Sequence, residues 1–217
     1  MKTIADCRCS WSRWLLVIMA IAVLPACGLN RAMAPFSVIA PELDHSALPA
    51  HGEAVAWGLA VRRPIADRTR DSERILIRTD DFRLLPYPGA VWLDNAPDLL
   101  RATMIEALES PGAFAAVGRT GRGGQFLVLE TELRRFEAVD DGSGNLVIEL
   151  ELRGSLINPR GGALLAARSF SHRQPAGGDS LEALIPAFNR ALTRYVVDLD
   201  AWLTGAGQTI DLNDALD

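Results

Sequence analysis

Cysteine is scarce in this 217-residue chain: there are three, and two of them, Cys7 and Cys9, fall within the first nine positions. Beyond Cys27 no thiol remains, which excludes a disulfide framework, a cysteine metal cluster and thiol catalysis for everything that follows. Positive charge is also short, with 22 Lys and Arg against 27 Asp and Glu and a net charge of −5. An acidic balance of this kind argues against nucleic acid as a partner. A long apolar run is missing as well. The unbroken one, Trp14 to Leu24, falls well short of the roughly 20 residues that a spanning helix needs. No internal repeat and no low-complexity tract is present.

What is there begins at the N-terminus. Lys2, Arg8 and Arg13 precede the apolar run against one acid, Asp6, and the run ends in Leu24-Pro25-Ala26-Cys27. A basic start, a short apolar stretch and small residues describe a cleaved secretory segment. Leu-Pro-Ala-Cys resembles the lipobox of bacterial lipoproteins, in which the cysteine is acylated and the peptide is cut before it. The resemblance implies residues 1–26 as signal peptide, Cys27 as the lipidation site and first mature residue, and 27–34 as a lipidated tether. Gly28 at the second mature position, where enteric-type sorting to the inner membrane has Asp, directs the expectation to the periplasmic face of the outer membrane. Losing residues 1–26 leaves 19 basic residues against 26 acids and a net charge of −7. The seven residues Gly28 to Ala34 span only about 25 Å when extended, so the folded domain stays close to its bilayer.

Residues 35–205 read as a single domain, large enough to bury a core without covalent staples. Short strands are expected at Pro35–Pro41, Val55–Val61, Ile75–Ile77 and Ala90–Trp92, the last two separated by a Pro86-Tyr87-Pro88-Gly89 turn. His45–Gly52 reads as a loop. Asp94 or Asn95 with Pro97 opens a helix whose Leu100, Met104, Ala107 and Leu108 share a face, and Ser110-Pro111-Gly112 closes it. Phe114–Val117 leads through a glycine-rich turn at 118–124 into the clearest hairpin, Phe126 to Ile157 around 140–145. Pairing that places Glu132 opposite Arg153, Leu133 opposite Leu152 and Arg134 opposite Glu151 avoids like charges across the ladder. The same register points Arg135 at the apolar side, which the pattern leaves unexplained. A strand at Leu164–Arg173 follows. A long helix then carries Leu181, Leu184, Phe188, Leu192, Tyr195, Leu199 and Leu203 at three- and four-residue steps. Pro186 kinks it or marks its start, Gly205 stops it, and 206–217 is a mobile acidic tail. The predicted class is α+β, one domain with a mostly antiparallel sheet packed by two main helices.

Chemistry-bearing patterns are thin. His45, His51 and Glu53 sit in a loop without rigid support, so no metal site is expected there. His172, alone on a strand, reads as a surface residue. The glycines of 118–124 lack the strand-loop-helix context and the Lys-Ser/Thr of a phosphate loop. Gly142-Ser143-Gly144 is no nucleophile elbow. Glu130, Glu132, Glu149 and Glu151 read as exposed partners of cross-strand arginines. Arg62, Arg63, Arg68, Arg70, Arg74 and Arg78 stand out as six arginines in seventeen residues with few acids among them. A solvated loop is the plain reading, and contact with an acidic protein or a lipid headgroup the functional one. Nothing assembles nucleophile, base and oxyanion donors, so neither an enzyme nor a cofactor is expected.

Taken together, the lipobox, Phe36-Ser37-Val38, Leu59-Ala60-Val61-Arg62-Arg63-Pro64, Asp71 to Arg78 and above all Leu85-Pro86-Tyr87-Pro88-Gly89-Ala90-Val91-Trp92-Leu93-Asp94 resemble the ABC-type transport auxiliary lipoprotein family. The resemblance implies a non-enzymatic periplasmic component of a lipid-transport system, partnered by an MCE-domain protein and an ABC permease and ATPase. Arg78, Tyr87 and Trp92 match the family pattern, and of these Tyr87 and Trp92 read as packing residues first. Arg68, Arg70 and Arg74, without obvious partners within the chain, are the expected partner-binding surface. The alternative is a carrier that holds an acyl chain between sheet and helices. A homo-oligomer is left open.

Overall fold

A computed structural model describes residues 36–209 except 53, 110–111, 122–125, 141 and 143–144, and the side chains of 207–209. The expected signal segment, Cys27, the expected tether and positions 210–217 lie outside the described residues.

Nine strands form one mixed, open sheet: β1 Ser37–Ile39, β2 Gly58–Val61, β3 Ile65–Ala66, β4 Arg74–Arg78, β5 Leu84–Trp92, β6 Val117–Gly118, β7 Phe126–Asp140, β8 Leu146–Ile157 and β9 Leu164–Pro175. Two helices, α1 Ala96–Glu109 and α2 Leu181–Thr209, complete an α+β domain. The long pairings, β7 with β8 and β8 with β9, are antiparallel, as is β4 with β5. Short parallel pairings make the sheet mixed. β2, β3 and β4 lie in tandem along one edge of β7, each parallel to it, with the 67–73 segment looping out between β3 and β4. β6 adds to β2, and β5 with β1 extends beyond β4 to leave β1 on the sheet edge.

In the β7–β8 hairpin Glu132 faces Arg153 and Leu133 faces Leu152, as the charge argument requires. Beyond Leu133 the expected register fails, because a bulge makes Arg135, not Arg134, the partner of Glu151. One extra residue reverses the alternation of faces. It therefore turns Phe136 into the core and Arg135 out toward Glu149 and Glu151, which removes the anomaly in the simple pattern.

The core lies between this sheet and the helices. Trp92, Phe136 and Phe188 meet with ring centroids 5.0–5.2 Å apart, and Leu127, Leu129, Ile148, Leu152, Leu192, Tyr195 and Leu199 close around them with 0% exposure. Aromatic contacts of this geometry add to the transfer energy of the buried area. At Gly58 the Phe126 ring comes so close that a Cβ would lie 2.4 Å from it. Any larger residue there would force the Phe126 ring to move.

Several boundaries differ from the sequence reading. The expected Pro86–Gly89 turn lies inside β5, and the chain reverses instead over Thr79–Arg83, where Phe82 adopts φ 64°. Prolines are tolerated there because that end of β5 lacks a second neighbour. Gly89, with φ 74°, sits where the β4–β5 ladder shifts register. β6 and β7 both run parallel to β2, so the glycine-rich link between them joins no hairpin. α2 begins before Pro186, with the Ser180 carbonyl accepting from the amides of Ala183 and Leu184, and it continues past Gly205 to Thr209. An apolar face packed on β8 and β9 outweighs the low helix propensity of Gly205 and Gly207.

Residues 40–52 are no free loop. Leu43 is buried, the Glu42 amide donates to Asn189 Oδ1 at 3.2 Å, and the Asp44 amide donates to Thr193 Oγ1 at 3.1 Å. His45 pairs with Glu106 at 3.1 Å and His51 with Asp200 at 2.7 Å. The segment is a strap fastened to both helices.

Candidate partner interface

The six arginines of 62–78 fall on β4 and on the links between the tandem strands, and most of them are already paired. Arg62 reaches Glu130 at 2.8 Å. Arg63 donates from Nε to Asp98 Oδ2 at 2.7 Å and from Nη2 to Asp71 Oδ1 at 2.5 Å, tying the loop to the first turn of α1. These bonds hold the Arg63 guanidinium above its ordinary pKa and the Asp71 carboxyl below its own.

Arg70 departs most from the sequence reading. Its Nε and Nη2 donate to the two carboxylate oxygens of Glu137, at 2.9 and 2.7 Å, and its Nη1 donates to Asp67 Oδ2 at 2.6 Å. Asp67 in turn accepts the amides of Thr69 and Arg70, so the turn that aims the arginine is itself hydrogen-bonded. Burial pulls the guanidinium's pKa down, but the bonds to Glu137 and Asp67 outweigh it and the net shift is upward. Arg70 is thus a structural residue, because the side chain that satisfies it lies 67 positions away on β7.

Glu137 and Glu149 face each other across β7 and β8, a like-charge pairing that would destabilise a bare ladder. Arginines surround them. Arg78 donates to Glu149 and lies 3.8 Å from Glu137; Arg135 reaches Glu149 at 2.7 Å and Arg173 at 3.5 Å. Glu137 has 0% exposure and Glu149 is also buried, so the expectation of an exposed Glu149 fails. Arg78, one of the residues in the matching pattern, is a structural cation of this network. Alternation could not reveal it, since Glu137 follows the bulge and its partners come from a loop and from the end of β4.

Arg68 and Arg74 remain. Both are exposed and neither has an ion-pair partner among the described residues. Arg74 pairs through its backbone with Val91, which in turn neighbours Val38, so it stands two strands from the β1 edge.

His172 is half-buried, 3.7 Å from Asp198, with its ring edge-on to Tyr195, so it is no free surface residue; burial lowers its pKa. Burial raises that of Asp200, against the opposing bond from His51. Glu53 lies outside the described residues, and no group of three His, Cys, Asp or Glu side chains suited to a metal ion occurs among them. A surface cleft of about 470 Å³ lies between the strap and α2, lined by Glu42, Asp44, Asn189, Arg190 and Arg194 among others. No helix among the described residues is long and apolar enough to cross a membrane.

The profile of the ABC-type transport auxiliary lipoprotein components matches residues 41–199, from the strap through most of α2. The chain belongs to this family. It is a family of transport auxiliary lipoproteins, not an enzyme family. A solved structure from Xanthomonas campestris, of a protein assigned to DUF330, is 29% identical with a TM-score of 0.71, over 80% of this chain and 98% of that one. A second solved structure, of an uncharacterized protein, is 16% identical with a TM-score of 0.59, over 78% and 99% of the two chains. A hypothetical protein from Chlamydia trachomatis is 11% identical with a TM-score of 0.50, over 71% and 100%. At those identities the last two speak for the fold alone. No curated protein matches the chain. The family match starts at Pro41 and so leaves out β1, the strand nearest the expected anchor.

Proposed function

We propose that this family member is anchored through acylated Cys27 to the periplasmic face of the outer membrane and docks the distal end of an MCE-type lipid-transport assembly. The ABC permease and ATPase of that assembly stand in the inner membrane. The family match over residues 41–199 carries the reading. The filled layer around Trp92, Phe136 and Phe188 supports a docking module over a carrier with an acyl chain between sheet and helices. Within the arginine segment the contact falls to Arg68 and Arg74, whose guanidinium groups are free to fork onto partner carboxylates, while Arg70 holds the loop in place.

Capture of an MCE-domain protein from solubilised envelopes by the tagged full chain tests this. Wild type is expected to recover the partner in a salt-sensitive manner, and Arg68→Ser with Arg74→Ser to recover less at an unchanged melting temperature. Recovery of no MCE-domain protein overturns the reading. Near-stoichiometric phospholipid in native mass spectra of the protein would favour the carrier.

A further inference from the structure

Exposed large apolar side chains are not scattered over this domain. Of the seven among the described residues, Phe36 and Val38 lie at β1, Leu85 on β5, Phe82 in the turn that enters β5 and Leu93 directly after it. Only Ile65 and Leu164 fall elsewhere. Phe82 is 82% exposed and holds φ 64°, a conformation that costs a non-glycine residue energy. A strained, solvated phenylalanine at a hairpin tip has no packing role in the fold. β1 is the edge strand, bonded to β5 over three residues, and Leu93 donates its amide to Ile39 to finish the ribbon.

This ribbon is also where the chain enters the domain. Cys27 precedes Phe36 by nine positions, a reach of about 30 Å at full extension. The nine residues of β5 measure roughly the same at that rise. A lipid at Cys27 therefore holds the whole apolar ribbon within contact distance of the bilayer. Grouped apolar side chains on a soluble surface mark an interaction site, and the occupant nearest to this one is the membrane.

We propose that the β1–β5 ribbon seats the domain on the lipid surface that carries its anchor, with Phe36, Val38, Phe82, Leu85 and Leu93 entering the headgroup and upper acyl region. The proposal rests on lipidation at Cys27 and goes beyond it, because a tether alone leaves orientation free. With the β1 edge on the bilayer, Arg74 stands two strands away, roughly 10 Å, still open to a periplasmic partner. Grouped side chains entering to a depth of about 5–10 Å would add to acyl anchoring in the manner of interfacial segments.

The test uses the acylated full chain reconstituted into vesicles of phosphatidylethanolamine with phosphatidylglycerol. Val38→Cys, Phe82→Cys and, on the opposite edge strand, Arg168→Cys each carry an environment-sensitive fluorophore; Cys27 is blocked by its acyl group. A blue shift with quenching by spin-labelled lipid at 38 and 82, and neither at 168, is expected. Chains that float with the vesicles while probes 38 and 82 stay water-like overturn the seat and leave the anchor standing. A shift that depends on protein concentration and ignores the lipid quencher assigns the ribbon to a second copy and also overturns it. A wild-type chain that fails to float removes the anchor and the seat together. All three labelled positions are exposed, so folding does not confound the readout.

Discussion

Arg70 forks both oxygens of the Glu137 carboxylate, a side chain with 0% exposure that lies directly opposite Glu149 on the neighbouring strand. Removing Arg70 leaves a buried carboxylate whose remaining cation, Arg78, stands 3.8 Å away without the bidentate fork. Arg70→Ala is therefore expected to cost about 3–5 kcal/mol, measured by urea unfolding, whereas Arg68→Ala on the same loop should stay within about 0.5 kcal/mol. Equal effects would mean that the fork contributes little. Substituting Arg70 and Glu137 together with Met should recover much of the loss, since an apolar replacement leaves no charge behind.

Phe188 brings α2 onto the sheet through Trp92 and Phe136. Phe188→Ala should cost about 3–5 kcal/mol, the usual range for deleting a fully packed aromatic. Glu132→Ala, whose partner Arg134 is a half-exposed neighbour, should cost under about 1 kcal/mol. A reversed ranking in thermal melts would show that the helix is not the principal core element.

Half-buried His172 and buried Asp200 titrate in opposite senses. Burial depresses His172 below its ordinary 6.5, so the folded state binds its proton less readily than the unfolded chain. Stability from this source is fully present above 6.5 and is lost as pH falls through the lowered folded value. Burial raises Asp200 above 3.8, so its contribution is present below 3.8 and is lost as pH rises through the folded value. Melting temperatures across mildly acidic pH are expected to fall less steeply for His172→Gln than for wild type. Asp200→Asn should instead remove a loss that accompanies rising pH. Unchanged profiles in both would show that neither group carries linkage.

Cys27→Ala removes the thiol that acylation requires. Metabolic labelling with a fatty-acid probe should mark the wild-type chain and not the variant, and the variant should stay uncleaved or leave the membrane fraction. Label retained on the variant would refute the lipobox assignment.

Local chemistry by itself determined the α+β class, the β7–β8 hairpin and both helices. Alternation of Leu127, Leu129, Thr131 and Leu133 with Glu130 and Glu132, and the spacing from Leu184 to Leu203, are properties of neighbouring residues and need no fold to be read. Matching residues from Leu85 to Asp94 pointed to the family, which the match over 41–199 bears out. Tertiary structure decided the rest. The bulge that turns Arg135 outward costs one residue of register and changes no composition. The partners of Arg70, His45 and His51 lie on elements far along the chain, and charge density alone could not tell a structural guanidinium from a free one. The grouping of Phe36, Val38, Phe82, Leu85 and Leu93 exists because β1 closes on β5 over three residues. Adjacency of that kind is created by strand pairing, and a one-dimensional pattern has no means of encoding which distant segments will share an edge.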